Sequence, residues 1–228
     1  MAKILYGGGV SDMRGKEAGT VHSRNTYGSY TRQKVSPVQP RTSAQLLVRT
    51  QLATVAQAWR GLTQAQRDSW NLIAPTYSRT SVFGNRTPLT GFNLFGMLNR
   101  MRQVIGLALI EVPPVPLAVS GVGSLALAVV SGAPTYTITF TPTPLPANMY
   151  GVIYCTPGLS PGVQFAGNNT RVVGVAAPAQ TSPYEIHVDY SAIFGPLVAG
   201  LKYVVQVQIV HGPSGIASAL NQASAIAT

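Results

Sequence analysis

The 228-residue chain carries sixteen Lys and Arg against six Asp and Glu, a formal net charge of +10, yet only 10% of its residues are charged. Its length accommodates one large domain or two small ones. The single cysteine, Cys155, excludes an internal disulfide and a zinc site built on cysteines. The sequence has neither an apolar run of 18 residues nor the apolar segment of a signal peptide. We therefore expect a soluble protein made in the cytoplasm, with no membrane partner.

The positive charge is confined to the first half of the chain. Residues 1–111 hold fourteen cations and four acids, whereas residues 112–228 hold two of each. Charge informs about partners and solubility rather than fold. This asymmetry predicts a basic part that binds an acidic or crowded partner, followed by a neutral part.

Residues 1–41 are rich in glycine and show no period of 2 or 3.6 residues. We interpret them as an extended basic arm or a set of short ribbons, ordered only against a partner. Cations alternate with tyrosines in the later part, which makes the following residues candidate contacts: Arg24, Tyr27, Tyr30, Arg32, Lys34 and Arg41.

Three short helices are predicted over 42–111. Thr42 with Gln45, and Thr63 with Gln66, fit the capping box that starts a helix. Helical spacing follows in three apolar sets, Val48, Leu52, Val55 and Trp59, then Trp70 and Ile73, then Leu94, Leu98, Met101 and Ile105. We expect the third helix to start at Thr90 and to have Gly106 as its C′ residue, just beyond the helix.

A helical bundle of about 60 residues is marginal by itself. We therefore expect it to pack on a partner or on the arm of a neighbouring copy, and to anchor the chain together with its own arm. The aromatic residues expected to support this anchoring are Trp59, Trp70, Phe92 and Phe95.

Pro113, Pro114 and Pro116 predict a stiff linker over 112–116. Beyond the linker the pattern changes to a period of two, as where Tyr136 and Ile138 alternate with threonines. Further strands are predicted over 117–130, 149–155, 170–176, 184–190, 202–210 and 215–227. About seven strands indicate an antiparallel β-sandwich over 117–228. The predicted fold class is a multidomain α + β chain.

The last 115 or so residues resemble a fibronectin type III module. The resemblance rests on Leu197, Gly200 and Tyr203 in the spacing L-x-x-G-x-x-Y, on Gly215 and Ser218 in the closing segment, and on Phe140 with Pro142 in place of a Trp and a Pro. It implies an immunoglobulin-like sandwich in which the Tyr203 hydroxyl bonds back to the preceding turn.

The first hundred residues are similar to small proteins encoded by tailed bacteriophages and prophages. The shared segments lie at 23–49, 58–70 and 89–95 and include AWRGLTQAQRDSW and LTGFNLF. This resemblance implies a place in the virion, with synthesis in the cytoplasm of the host bacterium, and no catalytic residues. The expected function is that of a capsid-associated decoration or cement protein with a projecting immunoglobulin-like domain, and a neck or tail component is the alternative.

The expected partners are the major capsid protein or other virion proteins, and further copies of the chain itself. Nucleic acid is the second choice, because cations can neutralise phosphates while tyrosines stack on unpaired bases.

Glu185, His187 and Asp189 share one side of a predicted strand. Three such groups could bind a metal or form an acid–base pair. The simpler interpretation, which we favour, has them facing water while Ile186, Val188 and Tyr190 face the core. We therefore expect no enzymatic activity, no metal and no cofactor.

Overall fold

The computed structural model describes residues 2–5, 7–10, 12–36, 38–80, 84, 86–164 and 169–228. The chain divides into two compact units, Met1–Phe95 and Gly96–Thr228. This division falls inside the third helix, whereas the sequence suggests a linker at 112–116. The domain limits 1–41, 42–111, 112–116 and 117–228 stay a prediction.

The first unit begins with a small antiparallel sheet. Its strands are β1 (Ala2–Lys3), β2 (Gly15–Glu17), β3 (Thr20–Asn25) and β4 (Gly28–Gln33), in the order β1-β4-β3-β2. The prediction of an extended arm was therefore wrong over these strands, and the alternative of short ribbons describes them. The sequence does not indicate these strands because they carry polar residues on both faces and therefore lack the alternation of apolar and polar residues that predicts a strand.

Three helices and a hairpin follow in the chain. They are α1 (Ser43–Gly61), α2 (Gln64–Ile73) with a 3₁₀ turn (Ala74–Thr76), β5 (Ser78–Thr80), β6 (Arg86–Pro88) and α3 (Gly91–Val104). The capping box of α2 is complete: Thr63 Oγ1 accepts from the Gln66 N–H at 3.3 Å, and the Thr63 N–H donates to Gln66 Oε1 at 2.8 Å. Local capping chemistry therefore decides where this helix starts.

The ends of α3 also follow from local chemistry. Thr90 Oγ1 accepts from the Asn93 N–H at 3.3 Å, and Gly106 adopts a left-handed φ of 76° just beyond the last turn. Glycine reaches this conformation without a steric penalty. Both predicted limits of α3 are confirmed.

The described part of the second unit contains seven strands. They are β7 (Ser124–Val130), β8 (Thr135–Thr141), β9 (Met149–Cys155), β10 (Arg171–Ala176), β11 (Tyr184–Glu185), β12 (Lys202–His211) and β13 (Asn221–Ile226). They form two antiparallel sheets, ordered β11-β8-β7 and β10-β9-β12-β13. Inward side chains of both sheets belong to one hydrophobic core that includes Tyr136, Ile153 and Val205. Burial of this apolar surface holds the two sheets together.

The segment 184–190 differs from its prediction. Only Tyr184–Glu185 is a strand, and helix α4 spans His187–Phe194. Ile186 and Tyr190 are buried as expected, but Val188 is 77% exposed. Because positions four apart share a helix face, 186 and 190 point inward together while 188 turns outward. The idea that Glu185, His187 and Asp189 line one strand was therefore wrong.

The second half of α3 belongs to the second unit and is fastened there by polar side chains. Asn99, fully buried, exchanges hydrogen bonds with the backbone of Ile110 at 2.7 and 3.1 Å. Arg102 donates to the carbonyl oxygens of Ala108 (2.6 Å), Pro213 (2.8 Å) and Gly212. Burial lowers the pKa of Arg102, and the carbonyls compensate part of the lost hydration. The chain after α3 and the turn after β12 are thereby fixed to this helix.

Candidate interaction surface

The candidate interaction surface is one face of the N-terminal sheet. Lys16 on β2 lies opposite Val21 on β3, and Val21 lies opposite Arg32 on β4. Directly opposed residues of antiparallel strands project to the same side. Lys16 on the edge strand β2 and Arg32 on the inner strand β4 therefore flank an apolar residue on this face.

A second row of residues crosses the same face. Lys3 on β1 lies opposite Tyr30 on β4, and Tyr30 lies opposite Ser23 on β3. Because side chains two residues apart on a strand share a side, Tyr30 joins Arg32. We call Lys3, Lys16, Tyr30 and Arg32 the basic face. Among the described strand residues on this side there is no carboxylate, since Glu17 points to the other side.

Lys3 is held in place over the aromatic side chain of this face. Its Nζ lies 5.9 Å from the centre of the Tyr30 ring and donates to the Tyr27 carbonyl oxygen at 3.4 Å. A cation at this distance from a ring is attracted by its π electrons. Tyr27 itself lies in the turn before β4, where its N–H donates to Asn25 Oδ1 at 3.0 Å. Tyr27 thus supports the basic face through its backbone.

The remaining cations predicted in the arm are placed elsewhere. Arg24 lies opposite Ser29 and projects to the other side of the sheet, where His22 Nε2 lies 3.9 Å from Glu17 Oε2. Lys34 follows β4, with its N–H donating to the Gly19 carbonyl at 2.7 Å. Arg41 directly precedes the Thr42 cap of α1. The sheet thus brings Tyr30 and Arg32 together and separates Arg24 from them.

Lys3 and Lys16 are the residues that the sequence analysis missed. They stand 13 positions apart in a glycine-rich segment, and no short motif connects them. Only the register of the sheet brings both onto the side of Arg32.

The sheet has no hydrophobic interior. No described residue between positions 2 and 41 is buried, and even Tyr30 and Val21 are only half-buried. A small sheet gains stability by packing one face against a helix or another sheet. The side that carries His22 and Thr31 is partly covered, since the His22 side chain is only 16% exposed and Thr31 Oγ1 is buried, whereas Lys16 and Arg32 on the basic face are exposed.

The four candidate aromatic residues of the helical part form one cluster. The ring of Trp59 lies 5.7 Å from Phe92 and 5.3 Å from Phe95, and Trp70 lies 5.2 Å from Phe95. Trp70 and Phe95 are completely buried, whereas Phe92 is 38% exposed. Trp70 and Phe95 therefore pack the interior of the helical part and do not present an anchoring surface. Phe92 and the half-buried Trp59 keep edges that a partner can reach.

The Glu185 carboxylate is held by three hydrogen bonds in the second unit. It accepts hydrogen bonds from the N–H groups of Tyr136 (2.6 Å) and His187 (2.9 Å) and from the Thr137 hydroxyl (2.6 Å). Burial alone raises the pKa of Glu185, but these hydrogen bonds together lower it. Glu185 thus ties β8 to the first turn of α4. In the described part of the chain, no group of three or more His, Cys, Asp or Glu side chains could hold a metal ion.

None of the described helices is long and apolar enough to cross a membrane.

Comparison with known proteins identifies no family for this chain. No protein-family model matches it, and no curated protein matches it either. A solved structure of an Fn3-like protein from Clostridium thermocellum is similar at 17% identity with a TM-score of 0.33. The match covers 49% of this chain and 96% of that one.

Proposed function

We propose that the chain is a structural protein of a bacteriophage virion, a capsid-associated decoration or cement protein whose N-terminal unit is the anchor. The observation that carries the proposal is the contrast between the two units. The first unit begins with a basic sheet without buried residues, whereas residues 112–228, which hold two cations and two acids, contain an extensive hydrophobic core. A partner surface would supply the core that the N-terminal sheet lacks, whereas the second unit already contains one.

The basic face supports an acidic protein surface as the partner. Lys16 and Arg32 are exposed, and Arg can bind a carboxylate through two parallel hydrogen bonds. Single surface ion pairs contribute about 0–1 kcal/mol each. Because many symmetric copies would bind on one particle, multivalency makes such weak contacts sufficient for stable attachment.

We further propose that the second unit is an immunoglobulin-like or fibronectin type III-like sandwich. With β7–β13 taken as strands A–G, strands A, B and E form one sheet and strands C, F and G belong to the other, as in immunoglobulin domains. The fourth strand, β10, pairs with β9 and so joins the second sheet. The Tyr203 hydroxyl bonds back to Val198, as a tyrosine corner does.

The experiment that tests the anchor is incorporation of charge-reversed variants into phage particles. In Lys16→Glu/Arg32→Glu, two cations of the basic face are reversed, and copies per particle should fall at least about tenfold if this face binds carboxylates. The matched control is Arg24→Glu/Arg100→Glu, which changes the net charge equally at two exposed cations outside the basic face. Normal incorporation of the first variant, or equal loss in both, would overturn the proposal.

A second candidate function is binding of packaged or single-stranded DNA. The observation that favours it is the presence of Tyr30 between cations on a face without carboxylates. If phosphates are the ligand, affinity for single-stranded DNA should fall steeply with salt, with a slope set by the number of phosphates neutralised. No binding at low salt would exclude DNA and leave the protein partner.

A further inference from the structure

A cleft of about 300 Å³ lies in the second unit, beside the turn that follows β12. One side is formed by residues 114–117 and the other by His211, Pro213 and Ser214. Protein sites for small molecules begin at about this volume, and a cavity of about 150 Å³ already holds benzene. The cleft therefore has room for a ring with substituents or for two fused rings.

Both sides of the cleft are fixed before any ligand binds. Proline locks its own φ and restricts the residue before it, so the three prolines within 113–116 stiffen one side. On the other side, Arg102 donates to the carbonyl oxygens of Gly212 and Pro213. The same side chain donates to the Ala108 carbonyl oxygen at 2.6 Å, in the segment that leads to the prolines. A site that is rigid in the free protein binds its ligand with little ordering cost.

His211 supplies a polar group to the cleft, and its neighbour Ser214 determines which ring nitrogen carries the proton. Ser214 is only 3% exposed, and its Oγ accepts from the Ile216 N–H at 3.2 Å. Ser214 Oγ also lies 2.8 Å from His211 Nδ1, which is then the acceptor for the hydroxyl proton. A neutral imidazole that accepts at Nδ1 carries its proton on Nε2. His211 therefore offers an N–H donor to a ligand.

We propose that this cleft binds a neutral aromatic ring that carries a hydrogen-bond acceptor, as in a phenol or an aryl ether. Proline surfaces pack against aromatic rings wherever aromatic-lined grooves recognise proline-rich segments. The prolines on both sides of the cleft thus match the two faces of a ring, and the His211 Nε2–H matches an oxygen at its edge. Among the described lining residues there is no Asp, Glu, Lys or Arg, so a charged ligand would lose hydration without compensation.

The test is a titration of the full chain with three aromatic probes of similar size, followed by ¹H–¹⁵N NMR. The probes are p-cresol and anisole, which carry an oxygen acceptor, and ethylbenzene, which carries none. We expect p-cresol and anisole to shift the amide signals of Leu117, Gly212 and Ser214 with dissociation constants of about 1 mM. Ethylbenzene should bind at least about fivefold more weakly, because the His211 donor finds no acceptor on it.

Three results of this titration would overturn the inference. The first is the absence of shifts at these amides with p-cresol, and the second is equal affinity for ethylbenzene. The third is binding of p-cresol without binding of anisole, because a ring nitrogen that accepts from the phenol contradicts a proton on Nε2. Long-range ¹H–¹⁵N spectra of the His211 ring check the tautomer directly, and a proton on Nδ1 would have the same consequence.

A pair of double variants tests the proline side of the cleft. Pro114→Ala/Pro116→Ala removes two lining rings and should weaken p-cresol binding at least about fivefold. The matched control, Pro134→Ala/Pro161→Ala, removes two exposed prolines outside the cleft and should bind like the original chain. Equal affinity of the two variants would contradict packing of the ring on the prolines. Circular dichroism of both variants verifies that the fold is retained.

N-acetyltyrosinamide distinguishes the two sources of such a ring. If it binds as tightly as p-cresol, the ring can be a tyrosine side chain of another protein, and if it is excluded while p-cresol binds, the ligand is a free small molecule. Both results retain the site. The titration contains no phage particle and no DNA, so it succeeds or fails separately from the proposed anchoring through the basic face.

Discussion

The Tyr203 hydroxyl closes the turn that leads into β12 by bonding to Val198. The Val198 N–H donates to Tyr203 Oη at 2.8 Å, and Oη donates to the Val198 carbonyl at 3.3 Å. Tyr203 is 1% exposed, and Gly200 between them adopts a left-handed φ of 77°. One side chain thus satisfies two backbone groups of a turn at the edge of the core.

Replacing this hydroxyl should destabilise the second unit. In Tyr203→Phe the ring stays in place but two backbone groups lose their partner, which should cost about 1–2 kcal/mol of unfolding free energy. Hydrogen exchange of the β12 amides would measure it, because this readout reports the second unit alone. Tyr154→Phe is the control, since its hydroxyl makes only a 3.5 Å contact with Gln208. Equal effects of the two substitutions would contradict a special role for the corner.

Among the polar residues of α3, Arg102 should be the one whose substitution lowers the free energy of unfolding most. Arg102→Met keeps the apolar stem but deprives three backbone carbonyls of a charged donor, with an expected loss of about 2–4 kcal/mol. Arg100→Met removes an exposed cation two residues earlier and should cost no more than about 0.5 kcal/mol. Urea midpoints from circular dichroism compare the two variants. If the urea midpoint of Arg102→Met equals that of Arg100→Met, the hydrogen bonds of Arg102 contribute little to the free energy of unfolding.

Glu185 should make the free energy of unfolding depend on pH in the acidic range. Its pKa is lowered in the folded chain, so the native state favours the carboxylate, and this contribution is full above the unfolded pKa of about 4.3. It is lost as pH falls through the lower folded pKa. The difference in urea midpoint between the original chain and Glu185→Gln should therefore be present at pH 7 and shrink toward pH 3. A difference that is constant across this range would rule out the carboxylate as its cause.

The Cys155 thiol should not react with thiol reagents in the native protein. It is fully buried in the core, and burial raises the pKa of the thiol to about 12. Only the thiolate is nucleophilic, so a disulfide reagent at pH 8 should react with Cys155 no faster than the chain unfolds. Prompt stoichiometric reaction without denaturant would mean that the core opens readily. Addition of urea beyond the midpoint is the positive control.

Features carried by neighbouring residues were predictable from the sequence. The capping box of Thr63 and Gln66, the left-handed Gly106 and the alternation around Tyr136 each involve residues a few positions apart. Backbone geometry then leaves few alternatives. The tyrosine corner belongs to this group as well, since Val198 and Tyr203 are only five residues apart.

Features that join distant residues were decided only by the tertiary structure. The basic face depends on strand register, which brings Lys3 and Lys16 beside Arg32 and turns Arg24 away although it lies in the same basic segment. Leu52 is 60% exposed whereas Val55, three residues later on the same predicted stripe, is buried, and their spacing alone does not distinguish them. Composition and spacing determined that the chain has a basic front, three helices and a strand-rich neutral end. Pairing and packing between distant segments decided which side chains share a surface, because a one-residue shift in register moves a strand residue to the opposite face.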